Sequence, residues 1–322
     1  MRVRPPAVAG MFYPGDPNGL RTMVDAMLDS ARKKVQTAVI PPQAGSPSDS
    51  LVGHGDLDAG RAQNEFTRSA EAEEEVEARS AEHGSSVPGS QVGNLSDSLV
   101  SMVVPHAGYI YSGSTAALGY ALLETLADKV KHVVILGPTH RVGIRGIALP
   151  EADAMRTPLG IVPLWTDGVV RALEQPFVVA SAEVHAQEHS LEVQLPFLQT
   201  VVPNADVLPL AVGWVEPQVA TDVLDAVWDS DTFIVISSDL SHYHPYAEAQ
   251  AIDKATVSQI LKGEQVDHDQ ACGATGVDAM TLAARTRGLV PKLIGMCNSG
   301  DTAGDKSGVV GYATIGFYKE ES

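Results

Sequence analysis

Three apolar runs in this chain end alike: "LVSMVVPHAGY", "HVVILGPTH" and "TFIVISSDLSH" each pass from Val, Ile and Leu to a histidine within a few residues. Near-continuous apolar runs of this kind, at 99–104, 132–137 and 232–237, mark strands that are covered on both faces. "ADVLPLAVG" (205–213) and "GVVGYATIGFY" (308–318) read the same way. Helical spacing falls between them at 113–128, 189–201, 216–228, 246–262 and 276–287. Ahead of them, Asp16 and Pro17 open an amphipathic helix carrying Leu20, Met23, Val24, Met27 and Leu28. Strands alternating with helices predict an α/β fold, a single domain with a central, largely parallel or mixed sheet flanked by helices. No fixed-period repeat interrupts the pattern.

Charge is distributed unevenly. The chain of 322 residues has a formal net charge of −18, which opposes binding to nucleic-acid backbones. Between Pro41 and Val100 there are 11 acidic and 3 basic residues, so this stretch carries −8 of the total. It is rich in Gly, Ser and Ala, has "EAEEEVEAR" at its centre and holds too little apolar surface to offset its ordering entropy. Residues 41–98 therefore read as a flexible acidic insertion in the domain, with a short helix around Glu71 to Arg79. A solvated spacer fits this composition better than a partner-binding arm. No apolar run reaches membrane-spanning length, and "MRVRPPAVAGMFYPG" lacks the apolar core of a signal peptide. Two cysteines, Cys272 and Cys297, make no disulfide framework and fit a reducing cytoplasm.

The chemistry collects at the strand ends. In open α/β sheets ligands bind beyond the carboxyl ends of the strands, so His106, His140 and His242 converge on one pocket if their strands are parallel and adjacent. Each alone also fits a hydrogen-bonded structural histidine; it is the repetition that argues for a shared site. Imidazole suits Fe, Cu, Zn and Ni, and a thiolate softens such a site. Cys272 precedes a helical pattern, where a helix N-terminus would lower its pKa, although a plain buried cysteine fits the spacing equally well. Asp239, three residues before His242, is placed to orient an imidazole, to act as an acid or base, or to cap the helix after Pro245. His244 reads as a surface or cap residue, and Cys297 as closing a strand.

One further motif needs weighing. "HAQEH", His185 to His189, matches the H-x-x-E-H pattern of inverted zinc peptidases. That mechanism places both histidines and the glutamate on one helix. Here the helical spacing of Leu191, Leu195 and Leu198 starts near Glu188 or His189, which leaves His185 off it. No G-K-[ST] loop, G-x-S-x-G elbow, G-x-G-x-x-G or C-x-x-C occurs. Ser238 and Ser241 beside His242 make a poor hydrolase, since neighbours on an extended segment point different ways.

"VAGMFYP", "VPHAGYIYSG", "ILGPTH", "EHSLEVQLPFL", "SSDLSHY", "CGATG" and "NSGDT…VVGYATIGFY" together resemble the Memo family, whose bacterial members are also called AmmeMemoRadiSam system protein B. The resemblance covers residues 4–40 and 99–318 and leaves the acidic insertion aside. It implies an α/β domain similar to class III extradiol dioxygenases, which hold Fe(II) with two histidines and a carboxylate. In the Memo pattern a cysteine takes the carboxylate's place. The resemblance thus implies His106, His140 and Cys272 as metal ligands, His242 as acid/base with Asp239 beside it, and Glu188 and His189 in the pocket wall. The metal it implies is Fe(II), with copper invited by the thiolate, and the activity is redox or dioxygenase-like on a small-molecule substrate. A non-catalytic binding protein that keeps the old pocket is the alternative, in a pathway shared with AMMECR1-like and radical-SAM partners, because fold does not carry function with it.

Overall fold

Each long apolar run forms a strand. The computed structural model describes residues 1–39 and 98–320, and apart from Ser98 the expected acidic insertion, with its helix near Glu71 to Arg79, lies outside them. In chain order the strands are β1 (Val3–Arg4), β2 (Leu99–Val104), β3 (His132–Pro138), β4 (Ile147–Leu149), β5 (Ala154–Thr157), β6 (Gly160–Pro163), β7 (Val178–Ala180), β8 (Asp206–Val212), β9 (Thr232–Ser237), β10 (His242–His244), β11 (Leu289–Asn298) and β12 (Val309–Lys319). The helices are α1 (Pro17–Val39), α2 (Tyr109–Glu124), α3 (Thr166–Leu173), α4 (Ala182–Ala186), α5 (Leu195–Val201), α6 (Pro217–Val227), α7 (Tyr246–Leu261) and α8 (Ala274–Arg287).

The main sheet runs β10-β12-β2-β9-β3-β8-β4-β7, with β11 on the outer side of β12. Its middle is parallel: β2 pairs with β9, β9 with β3 and β3 with β8. Antiparallel pairings of β12 with β2 and of β4 with β8 bracket this parallel centre, so the sheet is mixed. A second, three-stranded sheet joins β1, β5 and β6. Parallel neighbours end on the same edge, and the ends of β2, β9 and β3 therefore lie side by side.

Why the runs are continuous follows from the packing. Val133, Ile135, Phe233 and Val235 point to one face, where α1, α2 and α5 supply Leu20, Val24, Leu28, Tyr120 and Phe197. Val134, Leu136, Ile234 and Ile236 point to the other, against Val223 and Leu224 of α6, Val257 and Ile260 of α7 and Met280 of α8. Each fully buried Leu, Ile or Phe contributes about 1.5–3 kcal/mol, and the buried polar residues within these strands, Ser101, Thr232 and Ser237, are small and hydrogen-bonded.

Two expectations shift. Helix α2 starts at Tyr109, four residues before the expected 113, because Tyr109 N–H donates to Phe12 O at 2.7 Å and its cap residue Gly108 gives no side-chain signal. The expected helix 189–201 is a 3₁₀ turn at Glu192–Gln194 followed by α5. His185, expected off that helix, sits on the separate short helix α4. The conclusion that His185 and His189 do not share a helix stands.

Candidate metal centre

The parallel strands β2, β9 and β3 release three segments onto one edge. His106 leaves β2, His140 leaves β3 and Asp239 leaves β9, while Cys272 reaches the same place from the loop before α8. Two glycines permit the approach. A Cβ on Gly273 would lie 2.7 Å from Ser238 Cβ and 2.8 Å from Ser237 O, and one on Gly137 would lie 2.7 Å from Ser190 Oγ. The start of α8 can therefore press against the end of β9, and the 188–190 turn against the end of β3.

The donor atoms of His106, His140 and Cys272 all lie within 4.8 Å of one another. His106 Nε2 and Cys272 Sγ are 3.3 Å apart. Two ligands of one ion, at about 2.1 Å for nitrogen and 2.3 Å for sulfur and 90–110° apart, stand about 3.1–3.6 Å from each other.

Hydrogen bonds fix the tautomers of both histidines. Ser237 Oγ donates its one proton to Ser190 O at 2.6 Å and accepts from Gln194 Nε2 at 2.8 Å. The 3.0 Å contact with His106 Nδ1 must then be an N–H donated by the ring, which leaves a lone pair on Nε2 facing Cys272. His140 Nδ1 lies 2.9 Å from Glu188 Oε1. An ionised carboxylate only accepts, so Nδ1 carries the proton and Nε2 is left free. Anchoring of the remote ring nitrogen by an acceptor is the usual arrangement of metal-binding histidines.

Glu188 is buried at 1% exposure, yet its pKa is held at about 2. Burial raises it, but the His140 ring and backbone N–H, with the N–H of Ser190, outweigh burial. His140 N–H and His189 N–H donate to the same carboxylate at 2.5 and 2.9 Å. Glu188 is thus a brace for His140. His189 lies beside the donor histidines. Its ring centroid lies 4.5 Å from that of His140 and 5.5 Å from that of His106, and Phe12 packs on it at 4.6 Å. Its Nδ1 is buried without a hydrogen-bond partner among the described residues.

Asp239 does not cap α7, whose cap residue is Pro245 with no side-chain bond. Instead Oδ1 accepts His106 N–H at 2.7 Å, and Oδ2 lies 3.9 Å from His106 Nε2. What it holds is the His106 backbone, not an imidazole ring. Burial pushes its pKa up to about 7, against the lowering effect of the His106 N–H. Cys272 also departs from expectation. Burial, then the charge of Asp239, push the thiol up, against the lowering effect of the Asp239 N–H and of the Gly273 N–H at the start of α8.

His242 is half-buried on β10, opposite Val310 of β12. Burial lowers its pKa, and it is near enough for the charge on His140 to add to that lowering. The bulge between His242 and His244 puts Tyr243 at φ 61°, with its ring 79% exposed. His244 faces Glu248 at 2.9 Å, away from the cluster, and Cys297 pairs with Thr115 Oγ1 at 3.0 Å. His185 stays outside the donor group: its Nε2 lies 2.8 Å from Ala148 O, on β4. Ser237 and Gln194 were missed from the sequence. A hydroxyl at a strand end and a glutamine in "EVQLPF" give no signal until the fold joins them.

Fold and edge together define a class: an α/β protein presenting two imidazoles and one sulfur, with a histidine-rich surround, at the carboxyl edge of a mixed sheet. The family model described as Memo-like protein matches residues 88–316, and the chain belongs to the Memo family. A MEMO1 family protein of Aquifex aeolicus is 32% identical over 98% of this chain and 100% of its own length. One of Metallosphaera sedula is 35% identical over 67% and 82%, and one of Nitrosopumilus maritimus is 28% identical over 98% and 99%. No helix among the described residues is long and apolar enough to cross a membrane.

Proposed function

We propose that this protein binds iron, or copper in its place, through His106 Nε2, His140 Nε2 and Cys272 Sγ, and carries out redox or oxygen-dependent chemistry on a small molecule. The observation that carries the reading is the pair of fixed tautomers, which leaves both Nε2 lone pairs free on two histidines that each bring a ring nitrogen within 4.8 Å of the other and of one sulfur. Two imidazoles and a thiolate match iron and copper better than magnesium or calcium. When bound, such an ion supplies electron exchange and the positive charge that keeps Cys272 a thiolate.

The remaining roles belong to the chain's own groups. Half-buried and with its pKa lowered, His242 is neutral at pH 7 and takes up a proton on its ring. Asp239 holds the His106 loop in place and, with its pKa near 7, also exchanges protons at neutral pH. His189, backed by Phe12 and set beside His140, is the ring against which a substrate is oriented.

Metal analysis of protein purified without oxygen tests the reading. About one iron or copper per chain is expected, falling to a small residue in His106→Ala and Cys272→Ser. Protein with no stoichiometric metal, and a His106→Ala variant no different from it, would sink the proposal.

A further inference from the structure

The strongest polar network outside the donor set lies at the N-terminus. Glu192 is completely buried, and its carboxylate accepts Ala7 N–H at 2.7 Å, Val8 N–H at 3.0 Å and Tyr13 O–H at 2.5 Å, while pairing with the Arg4 guanidinium. Arg4, itself 7% exposed, turns its other N–H groups to the main chain beside the metal centre. Nε and one terminal nitrogen donate to His185 O at 3.0 and 2.8 Å, and that same nitrogen donates to Glu188 O at 2.7 Å.

Those carbonyls belong to the turn whose Glu188 side chain fixes both the backbone and the ring of His140. The path is therefore short: Glu192 orients Arg4, Arg4 pins residues 185–188, and Glu188 sets the direction of His140 Nε2. Only a planar fork serves two carbonyls and a carboxylate at once, and a lysine ammonium does not reproduce it. From this geometry we infer that Arg4 and Glu192 are positioning residues for the metal centre, and that the N-terminal segment is a working part of the site. The inference rests on the metal-binding reading above.

Full-length protein titrated with Co(II) under nitrogen tests it. Affinity is read by competition with a chelator, and the sulfur ligand by its near-ultraviolet charge-transfer absorption. Three variants are compared, each melted without metal to fix its folded fraction. Arg4→Lys keeps the charge but loses the fork. Arg4→Met/Glu192→Gln removes both buried charges together and leaves no lone ion to unfold the chain. Tyr13→Phe removes one bond to Glu192 and leaves the fork intact.

Folded Arg4→Lys and the double variant should bind Co(II) about 10–100-fold more weakly, as when an outer-shell partner of a ligand is lost. Tyr13→Phe should melt earlier yet bind as wild type does. Wild-type affinity in either folded Arg4 variant, or equal weakening by Tyr13→Phe, overturns the inference while leaving the metal reading intact. Wild-type protein without a Co(II) site, or with a site that Cys272→Ser does not alter, sinks the metal reading itself.

Discussion

His185 is held neutral at 1% exposure, so folding should weaken as the pH falls below its ordinary pKa. Burial, joined by the charge of Arg4, lowers that pKa from 6.5 to about 4, against the opposing effect of its bond to Ala148 O. Between those values the unfolded chain binds a proton that the folded one refuses. The stability is therefore fully present above pH 6.5 and lost as pH falls toward 4. A shift of this size corresponds to about 3 kcal/mol in full, of which about 2 kcal/mol is lost by pH 5. That is a large share of the about 5–15 kcal/mol by which a domain is stable. His106 and His189 shift the same way, so total acid sensitivity does not isolate His185. His185→Gln does isolate it, because the Gln amide can donate to Ala148 O and cannot titrate. Urea unfolding of both proteins at pH 7 and pH 5 is the assay. Wild type should lose about 2 kcal/mol more than the variant between the two pH values. Equal losses would refute the reasoning. The same variant should bind Co(II) at pH 7 as tightly as wild type, and a fall in affinity would put His185 among the ligands.

Two further outcomes follow from the backbone. Gly273→Ala puts a methyl group 2.7 Å from Ser238 Cβ and 2.8 Å from Ser237 O, neither of which is the end of a flexible side chain. A loss of about 1–3 kcal/mol in thermal unfolding is expected, with weaker Co(II) binding as Cys272 moves off His106. Tyr243, at φ 61° and 79% exposed, holds left-handed backbone with little packing to compensate. Tyr243→Gly should melt at or above wild type, and Tyr243→Val, β-branched, should fall about 1–2 kcal/mol below it. The reverse order would refute the strain.

The strands were legible because their signal is local and doubled. A run buried on both faces is almost wholly apolar, and 99–104, 132–137 and 232–237 recur as β2, β3 and β9 within a residue. The stretch from Ile147 to Ala186 gave almost nothing: its four strands have three or four residues each, too few for a period of two to register. Strand β11 was hidden for a different reason. Most of its residues are only half-buried, so its apolar positions do not form a run.

At the site, the sequence alone determined which residue types stand at the strand ends: His106, His140 and His242 after apolar runs, and Cys272 before a helical pattern. Backbone propensity and the demands of a two-faced core settle those positions without reference to anything distant. Only the tertiary structure decided what each group touches. Asp239 braces His106 and not its near neighbour His242, and burial overrides the helix start at Cys272. Glu188 and Ser237 choose the tautomers, and Arg4 reaches across 184 residues of chain to hold Glu188. Hydrogen-bond geometry and desolvation depend on which surfaces meet when the chain closes, and sequence spacing carries no record of that.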